Sequence, residues 1–469
     1  MQGTRSTSAG LDLHLELSGT RPRAGLEAAL RDAVRSGRLP PGTALPASRV
    51  LARDLGVARN TVAEAYGQLV AEGWLSARHG SGTWVAERAA KVAAAGSSPG
   101  PAVVRGPRYD LRPGVPDVAA FPRAAWLAAA RRALAVAPAG ELSYADPRGL
   151  EVLRVALAEY VGRARGVTTT PDRIVVCAGF AQGLELLCEV LRAAGTSALA
   201  VEGYGHPGHR QIAGGAGLRL TALPLDERGA VVAALPVAAR AVLLTPAHQY
   251  PLGAALAPQR RREVASWATR TGGVVIEDDY DGEYRYDRQA VGALQSLAPE
   301  HVVYAGTASK SLAPGLRLGW LALPERLAAE VVAAKRAAGR LSSSLDQLTL
   351  AELIRSGDYD HQVRRARLAY RRRRDRLVSA LAREAPAVRV TGIAAGLHVL
   401  VRLPAGLAEE DVVTRAAARG LAVQGLAASR CGEQDLGSAL VVGYATPPAH
   451  AFSTAVARLC SVLREAASA

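Results

Sequence analysis

Four short apolar runs between residues 173 and 306 constrain the fold of this chain more than any other feature. They read RIVVCAG, AVLLTP, GGVVIEDDY and HVVYAG, and amphipathic helical stretches separate them. Apolar strands that alternate with helices are typical of a parallel sheet covered on both faces. We therefore predict an α/β fold built on a large, doubly wound, mostly parallel sheet.

The composition divides the 469 residues into three blocks. Residues 11–88 contain short helical patterns that end in a Gly-rich hairpin. Residues 89–107, which include AAKVAAAGSSPGP, have no apolar periodicity and predict a linker. Residues 108–469 carry the sheet pattern, and from about residue 385 shorter strands with two helices predict a small C-terminal α/β domain. The length agrees, because one hydrophobic core rarely serves so long a chain.

The chain has no feature of a membrane or secreted protein. It contains no run of about 20 apolar residues, and its first residues lack the apolar core of a secretory signal. The four cysteines are scattered without metal-ligand spacing, so we expect reduced thiols. We predict a cytoplasmic protein with no membrane partner and no metal.

The net charge of +15 favours an anionic partner but does not establish one. Residues 1–88 contain eleven Arg against eight Asp and Glu residues, an excess of only three. A GC-rich genome alone can produce such an arginine-rich composition. The positions of the charges therefore have to support any prediction of nucleic-acid binding.

The first block has the pattern of a winged helix-turn-helix. Apolar residues recur at helical spacing from Leu26 to Val34. Two further helices are joined at Gly56, and small polar residues open the second of them, which is helix-turn-helix geometry. The segment WLSARHGSGTWV then indicates two strands of a wing around a Gly-rich tip. The alternative is a winged helix that makes only protein contacts.

The most informative segment of the third block is GTASKSLAPGLRLGW, residues 306–320, which follows the apolar strand HVVYA. Its lysine, Lys310, lies at a strand end among small residues. Such a lysine suits a Schiff base with an aldehyde cofactor, because burial helps the amine to lose its proton. Thr307 and Arg317 are spaced to bind a phosphate through a hydroxyl and a guanidinium.

Two further segments suit the same cofactor. Asp278, with Asp279 as the alternative, is the candidate carboxylate that keeps a pyridine nitrogen protonated, as pyridoxal phosphate requires. Tyr280 would hydrogen-bond the ring hydroxyl. In RIVVCAGFAQGLELL a strand turns into a helix, so the N–H groups of Phe180 and Ala181 would bind the cofactor phosphate. An ordinary strand–helix turn is the alternative for this last motif alone.

Residues 45–85, LPASRVLARDLGVARNTVAEAYGQLVAEGWLSARHGSGTWV, resemble the GntR family of winged-helix repressors. The resemblance implies that double-stranded DNA touches the second helix, the start of the recognition helix and the wing tip. Carried over by position, these contacts are Arg49, Arg59, Asn60, Thr61, His79, Gly80 and Ser81. These residue types can reach phosphates and base edges, and a Gly-rich tip fits the minor groove. Ala63 stands where the family often has a further basic residue.

The order of segments over nearly the whole chain resembles the MocR (GabR-like) transcription regulators. TPAHQYPLG and EDDYDGEYRY are closer to that form than to ordinary fold-type I aminotransferases. The resemblance implies a fold-type I aminotransferase-like body that holds pyridoxal 5'-phosphate on Lys310, in a head-to-tail homodimer. It implies a regulator with at most residual transaminase half-reactions. The implied effector is a small-molecule amine, an amino acid or the cofactor itself.

Three positions depart from the aminotransferase pattern. His206 stands where many relatives stack a Tyr on the cofactor ring, and Tyr250 replaces the Asn before Pro-x-Gly. Histidine can also stack on a pyridine ring, so we expect cofactor binding to survive. Val441 stands near the usual carboxylate-binding Arg of the late strand. Arg430, in the preceding loop, is the candidate for an effector carboxylate, with an ordinary surface arginine as the alternative.

The run HQVRRARLAYRRRRDRL predicts a helix with a strongly basic face, Arg364–Arg376. We favour a solvated or salt-bridged helix between the large and small domains. A second DNA-contact surface is the alternative.

The predicted function is a regulator in which an effector amine exchanges with Lys310 and shifts the dimer between two arrangements. A working aminotransferase with a vestigial head is one alternative, and the absence of the late-strand Arg argues against it. A repressor whose body only dimerises is the other. The complete set of cofactor residues argues against that one, because a scaffold needs none of them.

Overall fold

The computed structural model describes residues 6–8, 11–13, 22–78, 82–87, 107–144, 146–286, 291–339 and 341–468. The chain divides into two compact units, residues 1–105 and 106–469, and each is described by itself. The predicted linker, 89–107, lies outside the described residues except for Pro107. None of the described helices combines the length and the apolar character needed to cross a membrane.

The first unit combines three helices with short strands. The helices are α1 (Pro22–Arg35), α2 (Ser48–Leu55) and α3 (Arg59–Ala71). The strands are β1 (Ser6–Ser8), β2 (Leu11–Leu13), β3 (Ala44–Leu45), β4 (Leu75–Arg78) and β5 (Gly82–Val85). Strands β1 and β2 pair with each other, and β3, β5 and β4 form an antiparallel sheet in that order.

One hydrophobic core holds the helices of this unit together. Leu26 and Leu30 of α1 are buried against Leu51 of α2 and Leu69 of α3. Gly56 ends α2 in the left-handed conformation, with φ at 67°, and this lets the chain turn directly into α3. The predicted winged helix-turn-helix is therefore confirmed.

The second unit is built on the predicted large sheet. Its seven strands are β7 (Ile174–Cys177), β8 (Ala198–Glu202), β9 (Arg219–Leu223), β12 (Ala241–Leu244), β13 (Val274–Asp278), β14 (Val302–Thr307) and β15 (Gly319–Ala322). Their order is β7-β15-β14-β13-β12-β8-β9. The pairs that involve β15 are antiparallel and the others are parallel, so the predicted mostly parallel sheet is confirmed.

Helices cover both faces of this sheet, as the apolar character of its strands requires. They are α4 (Arg123–Val136), α5 (Glu151–Arg165), α6 (Phe180–Ala193), α7 (Pro207–Gly215), α8 (Pro258–Thr271), α9 (Glu325–Ala337), α10 (Ser344–Arg355) and α11 (Asp358–Glu384). Strands β10 (Leu225–Asp226) and β11 (Gly229–Ala230) form a small hairpin beside it.

A small sheet follows the end of α11. Strands β16 (Arg389–Thr391), β17 (His398–Arg402), β19 (Gln424–Gly425) and β20 (Ala439–Gly443) form it in the antiparallel order β16-β17-β20-β19. Helices α12 (Glu409–Ala418) and α13 (Ala449–Ala467) pack on it through a shared core. Strand β18 (Leu421–Ala422) pairs with β6 (Tyr109–Asp110), so the start of this unit joins its small subdomain.

The predicted basic helix is α11, which lies between the large and small parts of the second unit. Arg367 donates to the carbonyl of Glu283 at 2.7 Å. Arg373 pairs with Asp117 at 2.6 Å and donates to the carbonyl of Pro447 at 2.8 Å. These contacts support a salt-bridged helix at those positions. Arg364, Arg371, Arg372 and Arg376 are exposed, and a DNA contact through them stays a prediction.

Candidate cofactor pocket and DNA-contacting surface

A cavity of about 450 Å³ lies at the carboxyl ends of the parallel strands. This is the edge of an α/β sheet where ligands usually bind. All nine residues predicted to contact the cofactor line it: Phe180, Ala181, His206, Tyr250, Asp278, Tyr280, Thr307, Lys310 and Arg317. The fold thus brings together residues that are up to 137 positions apart, counted from Phe180 to Arg317.

Lys310 lies half-buried in the cavity, just after β14. Its Nζ donates to the carbonyl of Gly114 at 2.5 Å. Burial lowers the pKa of the Lys310 ammonium, while the carboxylates of Asp278 and Asp281 act in the opposite direction. A lysine with a lowered pKa loses its proton more readily and is then a nucleophile toward an aldehyde.

One end of the cavity has the features of a phosphate site. Gly179, with φ at 88°, precedes the first turn of α6, whose N–H groups face outward. A Cβ at Gly179 would lie 3.3 Å from Nη1 of Arg317, so only glycine leaves this space clear. Arg317 has a φ of 52°, and it is the one non-glycine residue with positive φ in the described part of the chain. Such strain is often retained where it aims a functional group.

The geometry separates the two aspartates that the sequence left open. Asp278 lines the cavity. Asp279 instead forms a buried ion pair with Arg165, with Oδ2 2.6 Å from Nε and Oδ1 3.2 Å from Nη2. Consecutive side chains at a strand end point in opposite directions, so only one of the two can face the pocket. Burial raises the pKa of Asp278 well above its usual range, and the charge of Lys310 opposes this rise.

His209 is a pocket residue that sequence reasoning missed. It lines the cavity, and its Nδ1 lies 3.8 Å from Oδ2 of Asp278. Burial lowers its pKa to about 3, and the charges of His206 and Lys310 act in the same direction. Its position one turn into α7 brings it to the pocket, but the sequence around it carries no signal that would have identified it.

Tyr280 and Tyr250 line the cavity from the side of the small subdomain. The hydroxyl of Tyr280 donates to the carbonyl of His248 at 3.0 Å and lies 3.2 Å from Nδ1 of the same residue. The hydroxyl of Tyr250 accepts from Nε2 of Gln424 at 3.2 Å. His206 stands at the start of α7, where its Nδ1 accepts from the N–H of Gly208 at 3.1 Å.

A buried carboxyl group supports the loop that carries Tyr250. Glu202, at the end of β8, accepts from Oγ1 of Thr245 at 2.5 Å and from Nε2 of Gln249 at 3.3 Å. Nε2 of Gln249 also donates to the carbonyl of Tyr250 at 2.6 Å. Burial raises the pKa of Glu202 to about 7, although these hydrogen bonds oppose the rise.

Arg430 is not among the residues that line the cavity. Its side chain is exposed, and Nη1 lies 3.8 Å from a carboxylate oxygen of Asp435. Arg210, which sequence reasoning did not select, does line the cavity and donates to the carbonyls of Gly205 at 3.0 Å and Ser429 at 2.6 Å. The predicted effector contact at Arg430 therefore has no support from the position of its side chain here.

In the first unit the predicted DNA contacts lie on the surface of the helix-turn-helix. Arg59 and Asn60 are exposed in the first turn of α3, Thr61 is half-buried beside them, and Arg49 is exposed on α2. Neither Arg49 nor Arg59 has an ion-pair partner within the described part of the chain. The helix N-terminus adds a partial positive charge to this surface. His79, Gly80 and Ser81 lie outside the described residues.

Two family models match the chain and together define its class. Residues 22–85 match the bacterial regulatory proteins of the gntR family. Residues 111–448, well over half of the chain, match aminotransferase class I and II. A GntR head on an aminotransferase body defines a class of transcription regulator, not a free-standing aminotransferase.

Named relatives specify the family within that class. The HTH-type pyridoxine biosynthesis transcriptional regulator PdxR of Corynebacterium glutamicum is 35% identical over 399 residues, covering 85% of this chain and 86% of the relative. The probable rhizopine catabolism regulatory protein MocR of Rhizobium meliloti is 32% identical over 409 residues, covering 83% of each. The chain belongs to the MocR-like, GntR-family regulators with an aminotransferase-like domain.

A solved structure supports the fold of the second unit. The α-aminoadipate aminotransferase of Thermus thermophilus, complexed with N-(5'-phosphopyridoxyl)-L-leucine, gives a TM-score of 0.67 at 27% identity. The match covers 76% of this chain and 92% of that one. The fold-type I aminotransferase architecture predicted from the sequence is confirmed, and pyridoxal phosphate is the cofactor of this family.

The residues of the cavity fit pyridoxal phosphate. Asp278 is a buried carboxyl group whose charge burial disfavours, so a cationic pyridinium N–H would be its natural partner. The glycine-lined start of α6 and Arg317 leave room for an anion at one end. Lys310, in the same cavity, offers the amine that the cofactor aldehyde requires.

Proposed function

We propose that this protein is a DNA-binding transcription regulator that senses an amine, an amino acid or pyridoxal phosphate itself through a Schiff base on Lys310. The observation that carries the proposal is the single cavity shared by Lys310, Asp278 and the Gly179–Arg317 phosphate site. The head on residues 11–88 would read DNA, residues 89–107 would link it, and residues 108–469 would hold the cofactor.

The positions of the pocket residues support a proposed role for each of them. Lys310 would form the covalent link to the cofactor aldehyde, and Asp278 would accept from the ring nitrogen. His209 would support Asp278 as a neutral imidazole, because burial holds its pKa at about 3. Tyr280 would bond the ring hydroxyl, and His206 and Tyr250 would flank the ring. When bound, the cofactor supplies an aldehyde that exchanges one amine for another.

The phosphate would be held by a helix N-terminus and by side chains at the end of β14. The N–H groups of Phe180 and Ala181 would donate to it. Thr307 would add a hydroxyl, which now contacts Oγ of Ser309 at 2.9 Å, and Arg317 would add a guanidinium. Arg430 is retained as the proposed contact for an effector carboxylate, and reaching the cavity would require its side chain to move.

A homodimer is part of the proposal. On and after α4 several large apolar side chains are exposed, including Leu127 (64%), Val136 (81%) and Tyr144 (98%). Exposed apolar patches of this kind mark surfaces that a partner covers. We propose that a second copy covers this face, in the head-to-tail arrangement that the resemblance implies.

The test of the cofactor link is spectroscopic. Protein reconstituted with pyridoxal phosphate should absorb at about 420 nm, the usual position for this imine. Lys310→Ala should lose the band while the body still melts cooperatively. Lys335→Ala, which removes another buried lysine, is the matched control and should keep it. A band of equal strength in Lys310→Ala would overturn the proposal.

A second measurement separates a regulator from an aminotransferase. Steady-state transamination with a panel of amino acids should give at most half-reactions, because buried Val441 supplies no charge to the substrate carboxylate. Binding to a DNA duplex selected in vitro by the wild-type protein should change when an amine or pyridoxal phosphate is added. Rapid multiple turnover together with DNA binding that no such ligand alters would count against the regulator.

A further inference from the structure

A buried cluster of polar side chains lies behind Tyr280, between the pocket and the small subdomain. His248 and Asp281 are each about 2% exposed, and Nδ1 of the histidine is 2.8 Å from Oδ2 of the aspartate. Tyr280 approaches the same histidine twice, at its carbonyl and at Nδ1, as described above. Tyr280 is thus held against His248, and Asp281 in turn holds the ring of His248.

The small subdomain closes the other side of this dyad. A Cβ on Gly396 would lie 2.1 Å from Cε1 of His248 and 2.5 Å from Oδ2 of Asp281. The backbone before β17 therefore lies directly against the dyad. The carbonyl of Gly396 accepts from the hydroxyl of Tyr286 at 2.6 Å, and its N–H donates to the carbonyl of Tyr284 at 2.8 Å.

His398 adds a second contact from the small subdomain. Its ring centroid is 5.0 Å from that of His248, and its Nε2 lies 3.1 Å from the carbonyl of Pro251. Burial lowers the pKa of His398 to about 3, so the ring is neutral and donates through Nε2. His398 also lines the cavity itself. The small subdomain thus contacts both the dyad and the pocket.

We propose that the His248–Asp281 dyad couples the small subdomain to the pocket, because Gly396 and His398 hold the dyad and the dyad in turn positions Tyr280. The proposal rests on the proposed cofactor role of the pocket. His248 and Asp281 are positioning residues, since they act on the ligand through Tyr280. A shift of the small subdomain would change the position of the dyad, and with it the position of the Tyr280 oxygen that would accept from a ring hydroxyl.

The test measures how the absorbance of the reconstituted protein changes with pH. Besides the dyad, the groups whose charges act on Tyr280 include Asp278, Tyr250 and Glu202. Other charged or titratable groups that line the same cavity are His206, His209, Arg210, Lys310, Arg317 and His398. The pH at the midpoint of this absorbance change is the quantity compared. His248→Asn and Gly396→Ala should each shift that pH midpoint by about half a pH unit or more, a size typical of a changed neighbouring dipole or charge. The double variant should shift the pH midpoint no further than the larger of the two single shifts, because both substitutions act through the contact between Gly396 and His248.

Gly406→Ala is the matched control for the glycine substitution. Gly406 also has a positive φ, 85°, in the small subdomain, but a Cβ there would meet nothing within 4 Å. Gly406→Ala should introduce the same kind of backbone strain as Gly396→Ala. The pH midpoint of its absorbance change should nevertheless equal that of the wild type. A folded Gly396→Ala protein with a wild-type midpoint would overturn the proposal, as would a fully additive double variant.

Two outcomes need a second measurement. If Gly396→Ala does not fold, His398→Gln replaces it, with the same expected shift and the same non-additivity with His248→Asn. If the wild type shows no absorbance band, the proposed cofactor role fails. The coupling of the dyad to the small subdomain is then tested on the cofactor-free protein. Thermal midpoints that are non-additive for His248→Asn and Gly396→Ala would then support the coupling, and additive midpoints would refute it.

Discussion

The two candidate sites, one in each unit, place the charged groups on which they depend in opposite ways. In the first unit Arg49 and Arg59 are exposed on the helix-turn-helix, without an ion-pair partner among the described residues. In the second unit Arg165, Asp278 and Glu202 are buried and held by defined contacts. An extended polyanion needs exposed charge that it can neutralise, whereas a small ligand needs charge fixed in a water-poor cavity. Substitution of these groups should therefore change DNA binding in the first unit and stability in the second.

The largest expected effect is in the second unit, at the buried ion pair. Asp279→Asn would leave the guanidinium of Arg165 buried without its carboxylate, which typically costs about 3–5 kcal/mol. Calorimetry should show a much lower unfolding temperature for the transition of the second unit. Asp360→Asn is the control, because it removes a pair at 2.6 Å whose arginine, Arg163, is 60% exposed. Equal stability in the two variants would contradict the expected difference between a buried and an exposed ion pair.

The next effect depends on pH. The folded pKa of Glu202 is raised to about 7 from an ordinary value of 4.5. Between these two pH values the Glu202 carboxyl group is ionised in the unfolded chain but still protonated in the folded chain. Rising pH therefore lowers the stability of the fold, and this loss of stability is complete above about pH 7. Glu202→Gln cannot titrate at this position. Its free energy of unfolding relative to the wild type should therefore increase by about 2–3 kcal/mol as the pH rises from about 5 to about 8.

Denaturant unfolding at the two pH values measures this gain. The other buried carboxyl groups are common to both proteins, so their contributions cancel in the difference. Glu263→Gln, at an exposed glutamate on α8, is the control and should show no such change. A stability difference between wild type and Glu202→Gln that is the same at both pH values would rule out a raised pKa at Glu202.

The smallest expected effect on the fold is in the first unit. Arg59→Ala should weaken binding to the selected duplex by about 1–3 kcal/mol, as expected for loss of an arginine contact to a base or phosphate. The thermal midpoint should barely move, because the side chain is exposed. Arg35→Ala, on α1 outside the predicted contacts, is the charge-matched control. Unchanged DNA affinity in Arg59→Ala would favour a head that contacts only protein.

Much of the fold could be predicted because most strands of the large sheet bury a short apolar run. The runs RIVVCAG, AVLLTP and GGVVIEDDY contain β7, β12 and β13, and HVVYAG contains all of β14 except its last residue, Thr307. The direction of β15 could not be predicted. Four apolar residues, GWLA, fit a buried strand in either direction, and only the tertiary arrangement places it antiparallel between β14 and β7.

The pocket was predictable where a motif is continuous in sequence and less so where contacts are distant. Lys310, Thr307 and Arg317 lie within one segment, and all three line the cavity. The choice between Asp278 and Asp279 required Arg165, which is 114 residues away from Asp279. His209 and the contact of Gly396 with His248 depend on chain packing that no local pattern encodes.

The antiparallel placement of β15 has a consequence for how the proposed signal would end. Lys310 lies in a loop tied to the sheet on both sides, where the N–H of Ala308 donates to the carbonyl of Leu318 at 3.0 Å. If Lys310 forms the proposed Schiff base, a lysine amine displaced from this loop would stay beside the atom it left, so its return would be intramolecular and favoured. On the proposed function, a free amine would need further contacts of its own to compete with the tethered lysine. The resting link would then re-form as the free amine is depleted, without a separate resetting enzyme.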